Sequence, residues 1–290
     1  MKIALLNDFK KYAGAENSIK QRLKQTPKHI KCDFITPNDK IDYDLYDGFV
    51  LENIVKFSTK VLHEITESRP YIKVEHDFNF CVYRNQIQCK VCEYPCPIQI
   101  NPFMKELYTN AKMVICASPA HMGLQKQLLK DWDVNFKYGL PWAFSDVKVP
   151  KVNRKKKTVA FLGTMRKYKG IYDIVNLATR KPDYQFDLAG RHGFLKGNLP
   201  DNVKYLGEID DKWKYLAEHE YFIHVPQHLD PCPGTVIEAI LAGCKVIFNA
   251  NVGTLSYPFK TKADWEHALE KSAPMFWSRV TDTFKNDKND

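Results

Sequence analysis

No apolar run in this chain approaches the roughly 18 residues that a membrane-crossing helix needs, which leaves out a helical span. The opening Met1-Lys-Ile-Ala-Leu-Leu-Asn-Asp8 meets an acid too early for a secretory signal and reads instead as a buried first strand. No amphipathic helix with interleaved aromatics offers a membrane-surface anchor. No repeat shorter than a domain interrupts the pattern. These absences predict a cytoplasmic protein, whose eight cysteines stay reduced. Acidic side chains are the scarcer sign: 34 Asp and Glu stand against 43 Lys and Arg, a net charge of +9. Such an excess favours an anionic partner (nucleic acid, an anionic surface or a phosphorylated substrate) without choosing among them.

What is present is a globular composition. A 44% hydrophobic content over 290 residues supplies cores for two medium domains, and 13% aromatics speak against disorder. Short β-rich runs alternate with helical stretches, the pattern of parallel α/β layers. In the first half the strands fall at Ile3–Leu6, Cys32–Ile35, Gly48–Leu51, Tyr71–Val74 and Met113–Ala117, with helices near Glu16–Lys24, Lys56–Glu67, Pro102–Thr109 and Pro119–Lys130. Lys151-Val-Asn-Arg-Lys-Lys-Lys157 is charged and aperiodic, and reads as a solvated linker in preference to a nucleic-acid patch. The pattern then restarts. Strands are predicted at Thr158–Leu162, Tyr184–Leu188, Val203–Leu206, Tyr221–Val225 and Lys245–Phe248, and helices at Ile171–Thr179, Lys212–Ala217, Val236–Ala242 and Lys262–Lys271. The expected division is residues 1–150, 151–275 and a C-terminal end, 276–290, whose last residues read as a frayed tail.

One segment is the most informative. Asp230-Pro-Cys-Pro-Gly-Thr-Val-Ile-Glu238 sets two carboxylates eight positions apart, across a turn that opens a helix near Gly234. A helix N-terminus carries unpaired N–H groups and partial positive charge, so Gly234 and Thr235 suit a phosphate. Glu238 is expected in the first turn, placed to accept from sugar or ribose hydroxyls. A first-turn Glu that merely favours the helix dipole is the plain alternative. The segment resembles the acidic E-x7-E element of family-4 glycosyltransferases, with Asp230 for the first Glu. Other segments carry the same resemblance. Gly163-Thr-Met-Arg166-Lys-Tyr-Lys169-Gly170 is similar to the family's Gly-Arg and Lys-Gly loop, with Thr164 at the Arg position and Arg166 two residues on. Gly14-Ala-Glu16 resembles its Gly-Gly-x-Glu element, Ala13 replacing the first Gly. His76-Asp77, at a strand end, resembles its His-Asp. Asp187-Leu-Ala-Gly190-Arg191-His192, Asn202-Val-Lys-Tyr-Leu-Gly207 and Pro226-Gln227 follow the order of its second domain.

The resemblance implies a GT-B fold: two Rossmann-like parallel-sheet domains facing across a cleft. It implies a nucleotide-sugar donor, UDP-linked by default, transfer with retention and no essential catalytic metal. Gly14, Thr164, Arg166, Lys169, Gly234, Thr235 and Glu238 would hold the donor. His76, Asp77 and Asp230 would stand at the reacting centre. The basic charge leans toward a polyanionic acceptor; the resemblance, through viral DNA-modifying members, sharpens this to DNA carrying a hydroxymethylated pyrimidine, with a surface polysaccharide or lipid-linked glycan as runner-up. A non-catalytic DNA-binding module on a degenerate transferase scaffold is the reading from another class.

Cys81, Cys89, Cys92 and Cys96 form a separate C-x7-C-x2-C-x3-C cluster. Four thiolates so close suit a structural zinc that pins a loop, and an iron–sulfur cluster uses the same ligands. Free thiols or a partial disulfide pair remain open. Cys32, Cys116, Cys232 and Cys244 read as scattered core or loop residues.

Overall fold

The computed structural model describes residues 1–8, 14–81, 102–141, 149–192 and 198–286. Among these, strands and helices alternate over most of the chain, and the chain divides into two units. Unit 1 is Met1–Ser145 with His267–Asp290, and unit 2 is Asp146–Glu266. The divisions by contact fall at 145–146 and 266–267, beside the 150–151 and 275–276 expected from sequence.

Unit 1 is built on a six-stranded parallel sheet in the order β2-β1-β3-β4-β5-β6. Its strands are β1 (Lys2–Leu6), β2 (Lys31–Ile35), β3 (Gly48–Leu51), β4 (Tyr71–Glu75), β5 (Met113–Cys116) and β6 (Phe136–Tyr138). Between them run α1 (Gly14–Lys24), α2 (Thr59–Ser68), α3 (Pro102–Thr109) and α4 (Pro119–Leu128). Both central strands β3 and β4 are buried throughout, as a sheet covered on two faces requires. Caps set the helix starts. Ser58 accepts from the Val61 N–H, which starts α2 at Thr59 rather than at Lys56 as the sequence reading had it. Ser118 accepts from the His121 N–H, with Pro119 behind it in the first turn. β6 has no counterpart in the sequence reading. It is a three-residue edge strand with only Phe136 buried, too short to show a period.

Unit 2 carries a five-stranded parallel sheet in the order β11-β10-β7-β8-β9. The strands are β7 (Lys155–Leu162), β8 (Gln185–Ala189), β9 (Val203–Gly207), β10 (His219–His224) and β11 (Lys245–Phe248). The helices are α5 (Ile171–Thr179), α6 (Lys212–Glu218), α7 (Gly234–Leu241) and the start of α8 (Lys262–Asn286). Alternate residues of β7 feed opposite faces: Val159 and Phe161 pack with Ile171, Ile174 and Phe186, while Ala160 packs with Leu216, Phe222, Val236 and Ala239. β7 begins three residues earlier than expected, so Lys155, Lys156 and Lys157 are strand and not linker. The register of β7 on β10 shifts between His219 and Tyr221, and opposite that irregularity Lys157 takes a left-handed conformation (φ 56°). Its N–H donates to the Glu220 carboxylate at 2.9 Å.

α8 is the largest departure. The sequence reading stopped it at Lys271, before Pro274, yet the helix runs through that proline to Asn286. Proline removes one helical donor, but Ala273, Phe276, Trp277, Val280 and Phe284 fall at helical spacing on one face and are all buried. Their burial in unit 1 outweighs the local cost. Phe284 packs so closely on β3 that a Cβ at Gly48 would stand 2.7 Å from its ring. Among the described residues, no helix is long and apolar enough to cross a membrane.

Candidate functional site

In unit 2 the strand order reverses at β7, whose neighbours are β8 on one side and β10 on the other. Such a reversal leaves a crevice at the carboxyl ends of the strands, where open α/β sheets take their ligands. The loops that leave β7 and β10 meet there. Gly170 makes the meeting possible. It adopts φ 79°, and a Cβ on it would overlap the carbonyl oxygen of Val225. The Gln227 N–H donates to the Tyr168 carbonyl at 2.9 Å, tying the two loops.

This approach brings Lys169 and Asp230 together, with Nζ 2.5 Å from Oδ2. His224, the last residue of β10, places Nε2 2.9 Å from the same oxygen. Burial by itself would raise the Asp230 carboxyl. The charge of Lys169, with the His224 hydrogen bond behind it, outweighs that and holds the group well below the usual carboxylate range. Asp230 is therefore an anion at neutral pH and only accepts. The backbone on either side is fixed as well: the Asp230 N–H donates to the Asn251 carbonyl and its own carbonyl accepts from the Gly253 N–H, both at 2.9 Å. Arg166 and Thr164 share the β7 loop with Lys169; Arg166 is exposed and Thr164 half-buried.

α7 starts at Gly234 behind Pro233, with no side-chain cap, so Gly234 and Thr235 form its first turn. Glu238 corrects the sequence reading. It is the fifth residue of α7, not part of the first turn, and is buried. One helical turn deeper, it sits beyond the uncapped N–H groups. Its carboxylate lies 2.5 Å from Nζ of Lys212, the first residue of α6. Burial raises the Glu238 carboxyl, and Lys212 opposes the rise. The segments that follow β8 and precede β9 turn out to carry the frame. Asn202 donates to the carbonyls of Ala178, Lys181 and Tyr184, and the Tyr205 hydroxyl donates to the Gly190 carbonyl at 2.9 Å.

Unit 1 has its own cluster, at the carboxyl ends of β3 and β4. His76 Nε2 is 2.6 Å from Oε2 of Glu52, and Oε1 of the same carboxylate is 2.6 Å from the guanidinium of Arg22. Lys73 lies in the middle of β4, fully buried, pairs with Glu75 at 2.7 Å and donates to the carbonyls of Glu52 and Val74. Asp77 is anchored through its carbonyl, which accepts from His121 Nε2 at 2.6 Å and Gln125 at 3.2 Å. Its carboxylate accepts from Asn79 at 3.0 Å. Gly14 opens α1; residues 9–13 before it lie outside the described residues.

Of the cysteine cluster only Cys81 is described, and it is buried. Cys89, Cys92 and Cys96 lie outside the described residues, and the metal reading lies there with them. Among the described residues no group of three or more His, Cys, Asp or Glu is arranged to hold a metal ion. Cys32, Cys116, Cys232 and Cys244 are free thiols, half-buried or buried.

Lys169 and Asp230, singled out from sequence, are brought into contact, while Glu238 is paired elsewhere. Sequence reasoning missed His224, Lys212, Glu52, Arg22 and His121. Two of these had a signal: Glu52 and His224 each stand at the carboxyl end of an apolar strand, where a polar side chain has no core reason to be.

Residues 144–264 match the family model described as Glycosyl transferases group 1. No curated protein matches the chain in sequence. Among solved structures, HepE of Anabaena in complex with UDP and glucose is similar with a TM-score of 0.59 at 16% identity, covering 100% of this chain and 98% of that one. Sucrose-phosphate synthase from Thermosynechococcus elongatus gives a TM-score of 0.64 at 16% identity over 98% of this chain and 94% of its own. WaaG, a glycosyltransferase involved in lipopolysaccharide biosynthesis, gives 0.59 at 13% identity over 99% and 95%. The fold is thus that of GT-B glycosyltransferases, and the segment that holds Lys169, Asp230 and Glu238 is the one that matches the Glycosyl transferases group 1 family.

Proposed function

We propose that this chain is a retaining, family-4-like glycosyltransferase that moves a sugar from a nucleotide-sugar donor, UDP-linked, to a hydroxyl acceptor. The observation that carries the reading is the Lys169–Asp230–His224 cluster at the strand-order reversal of unit 2. Breaking the bond from the anomeric carbon to the diphosphate leaves negative charge on the departing nucleotide, and fixed positive charge is worth most there. Lys169 supplies it, with Arg166 on the same loop and the N–H groups of Gly234 and Thr235 at the uncapped start of α7. Thr164 offers a hydroxyl where the family has a guanidinium. On this reading the donor phosphates take Lys169 from Asp230. Asp230, still held by His224, then accepts from the sugar hydroxyls, and Glu238, charge-balanced by Lys212, accepts from the ribose. For unit 1, the family resemblance assigns Gly14 to the donor and His76 and Asp77 to the transferred sugar. The chemistry calls for no catalytic metal, since protein cations meet the leaving group. The departing phosphate takes the acceptor proton from the face it leaves, which gives retention.

The likeness to HepE, which was crystallised with UDP-glucose, favours UDP as the donor nucleotide. For the acceptor, the net charge of +9 favours a polyanion, and we take DNA bearing a hydroxymethylated pyrimidine as that polyanion. The likeness to WaaG favours a glycan as the second reading. One experiment tests both levels. UDP release and sugar transfer are measured from UDP-glucose with hydroxymethylated DNA and with an oligosaccharide acceptor. Lys169→Ala and Glu238→Ala should each lower transfer by about 100-fold or more with the fold intact. Normal rates in both variants would remove the site. A wild-type chain that releases no nucleotide with any acceptor would leave the non-catalytic DNA-binding scaffold as the answer, and loss of DNA binding with rising salt would identify it.

A further inference from the structure

We propose that Glu52 is a positioning residue of the transfer reaction, fixing the ring and the tautomer of His76 while Arg22 balances its charge. The inference rests on the reading of His76 as a residue of the reacting centre and adds the group that makes it one. Glu52 follows the last residue of β3 and His76 follows the last residue of β4, adjacent strands of one parallel sheet. The two carboxylate oxygens face different groups: Oε2 faces His76 Nε2 at 2.6 Å and Oε1 faces the Arg22 guanidinium at 2.6 Å. Arg22 and Glu52 are both fully buried. Burial alone would raise the Glu52 carboxyl, but the charge of Arg22, followed by the hydrogen bond from His76, holds it below the usual range. An ionised carboxylate only accepts, so Nε2 of His76 must carry hydrogen.

The surroundings hold this arrangement rigid. Arg22 stacks on the Phe276 ring of α8 at 4.3 Å, and its backbone carbonyl accepts from the Trp277 indole at 2.9 Å. Lys73 ties the end of β3 to β4 through the carbonyls of Glu52 and Val74. The next residue, Asp77, is clamped through His121 and Gln125. Four buried charges on two adjacent strands and one helix make a poor stability device, because well-packed apolar side chains of the same volume do as well or better. The place of Glu52 and His76, at the carboxyl ends of the strands where α/β sheets act on ligands, fits orientation of His76. A carboxylate behind an imidazole performs this task in other enzymes, where it sets the tautomer and holds the ring.

The test is Glu52→Gln in the full chain, read by imidazole 15N shifts of His76 and by steady-state kinetics with UDP-glucose. Arg22 has only donors to offer, so the new amide turns its oxygen to Arg22 and its NH2 to His76. Nε2 must then accept, and the tautomer inverts to Nδ1–H. The expected result is that inversion, with kcat lowered by on the order of 100-fold or more and the donor KM little changed. An active wild type whose Glu52→Gln variant keeps both the Nε2–H signature and a normal kcat overturns the proposal. A wild type inert toward every donor fails the functional reading instead, so the two failures are distinct. Should Glu52→Gln not fold, Glu52→Asp carries the test. It keeps the charge against Arg22 but draws the carboxylate back from His76, so kcat should fall by roughly 10- to 100-fold at a similar KM. An unchanged kcat in that variant overturns the proposal equally.

Discussion

His121 is an imidazole that the fold keeps neutral. It is fully buried in α4, accepts the Ala117 N–H on Nδ1 at 3.2 Å and donates from Nε2 to the Asp77 carbonyl at 2.6 Å. Burial, opposed by Glu75 and the Asp77 carbonyl, brings its pKa down to about 4. The unfolded chain takes up this proton near pH 6.5 and the folded chain only near pH 4, so the unfolded state binds more protons between those values. The contribution of His121 to stability is therefore whole above about pH 6.5 and is lost as the pH falls toward 4, by about 3 kcal/mol in all. Denaturant titrations across that window should show a slope that His121→Gln removes. Equal slopes in the two proteins would mean that His121 titrates normally. The sequence did not mark this residue, because its environment comes from the carbonyl of Asp77, 44 positions away. Lys169 and Asp230 were legible because their loop motifs carry turn chemistry of their own. Their contact was not, and neither were Lys212 and His224, since each pairing joins different elements.

Elements were legible where burial imposes a period. β3 and α5 fall where their apolar runs place them, with the bounds read from sequence. The failures have local causes: β6 buries a single side chain, β7 starts on three lysines, and Pro274 masks a helix that its apolar face sustains. The turn between β7 and α5 depends on one glycine, and this can be tested against a matched control. Gly170 and Gly207 both adopt positive φ, 79° and 73°, but a Cβ at Gly207 meets nothing within 4 Å while at Gly170 it overlaps the Val225 carbonyl. Gly207→Ala should cost about 1 kcal/mol, the left-handed penalty alone. Gly170→Ala should cost about 2–4 kcal/mol, since the β7 loop must also move off the β10 loop. That motion separates Lys169 from Asp230, so donor binding measured by calorimetry should weaken in Gly170→Ala and persist in Gly207→Ala. Similar losses in the two variants would show that the close approach is not what holds the loops.

On the scale of the whole chain, two successive α/β patterns were enough to infer two parallel sheets, because each half repeats the strand–helix rhythm. The return of the chain end to unit 1 could not be read the same way. It depends on a helix that crosses from Glu266 in unit 2 to His267 in unit 1 and buries its second part there. The tie is concrete: the Trp277 indole donates to the Arg22 carbonyl across 255 positions, Phe276 covers the Arg22 guanidinium, and Phe284 lies on Gly48. Unit 1 therefore lacks part of its core until the last residues have docked, a contact of very long sequence separation and a slow one to form. Trp277→Ala should destabilise unit 1 by about 3–5 kcal/mol, through the cavity it leaves and the Arg22 carbonyl it strands. Because the two units have separate cores, the damage should stay local. Hydrogen exchange read by peptide should quicken in β1, β3 and β4 and stay unchanged in β7, β8 and β10. Loss of protection in both sheets alike would show that they unfold as one cooperative body, and protection lost from unit 2 alone would contradict the assignment of α8 to the first sheet.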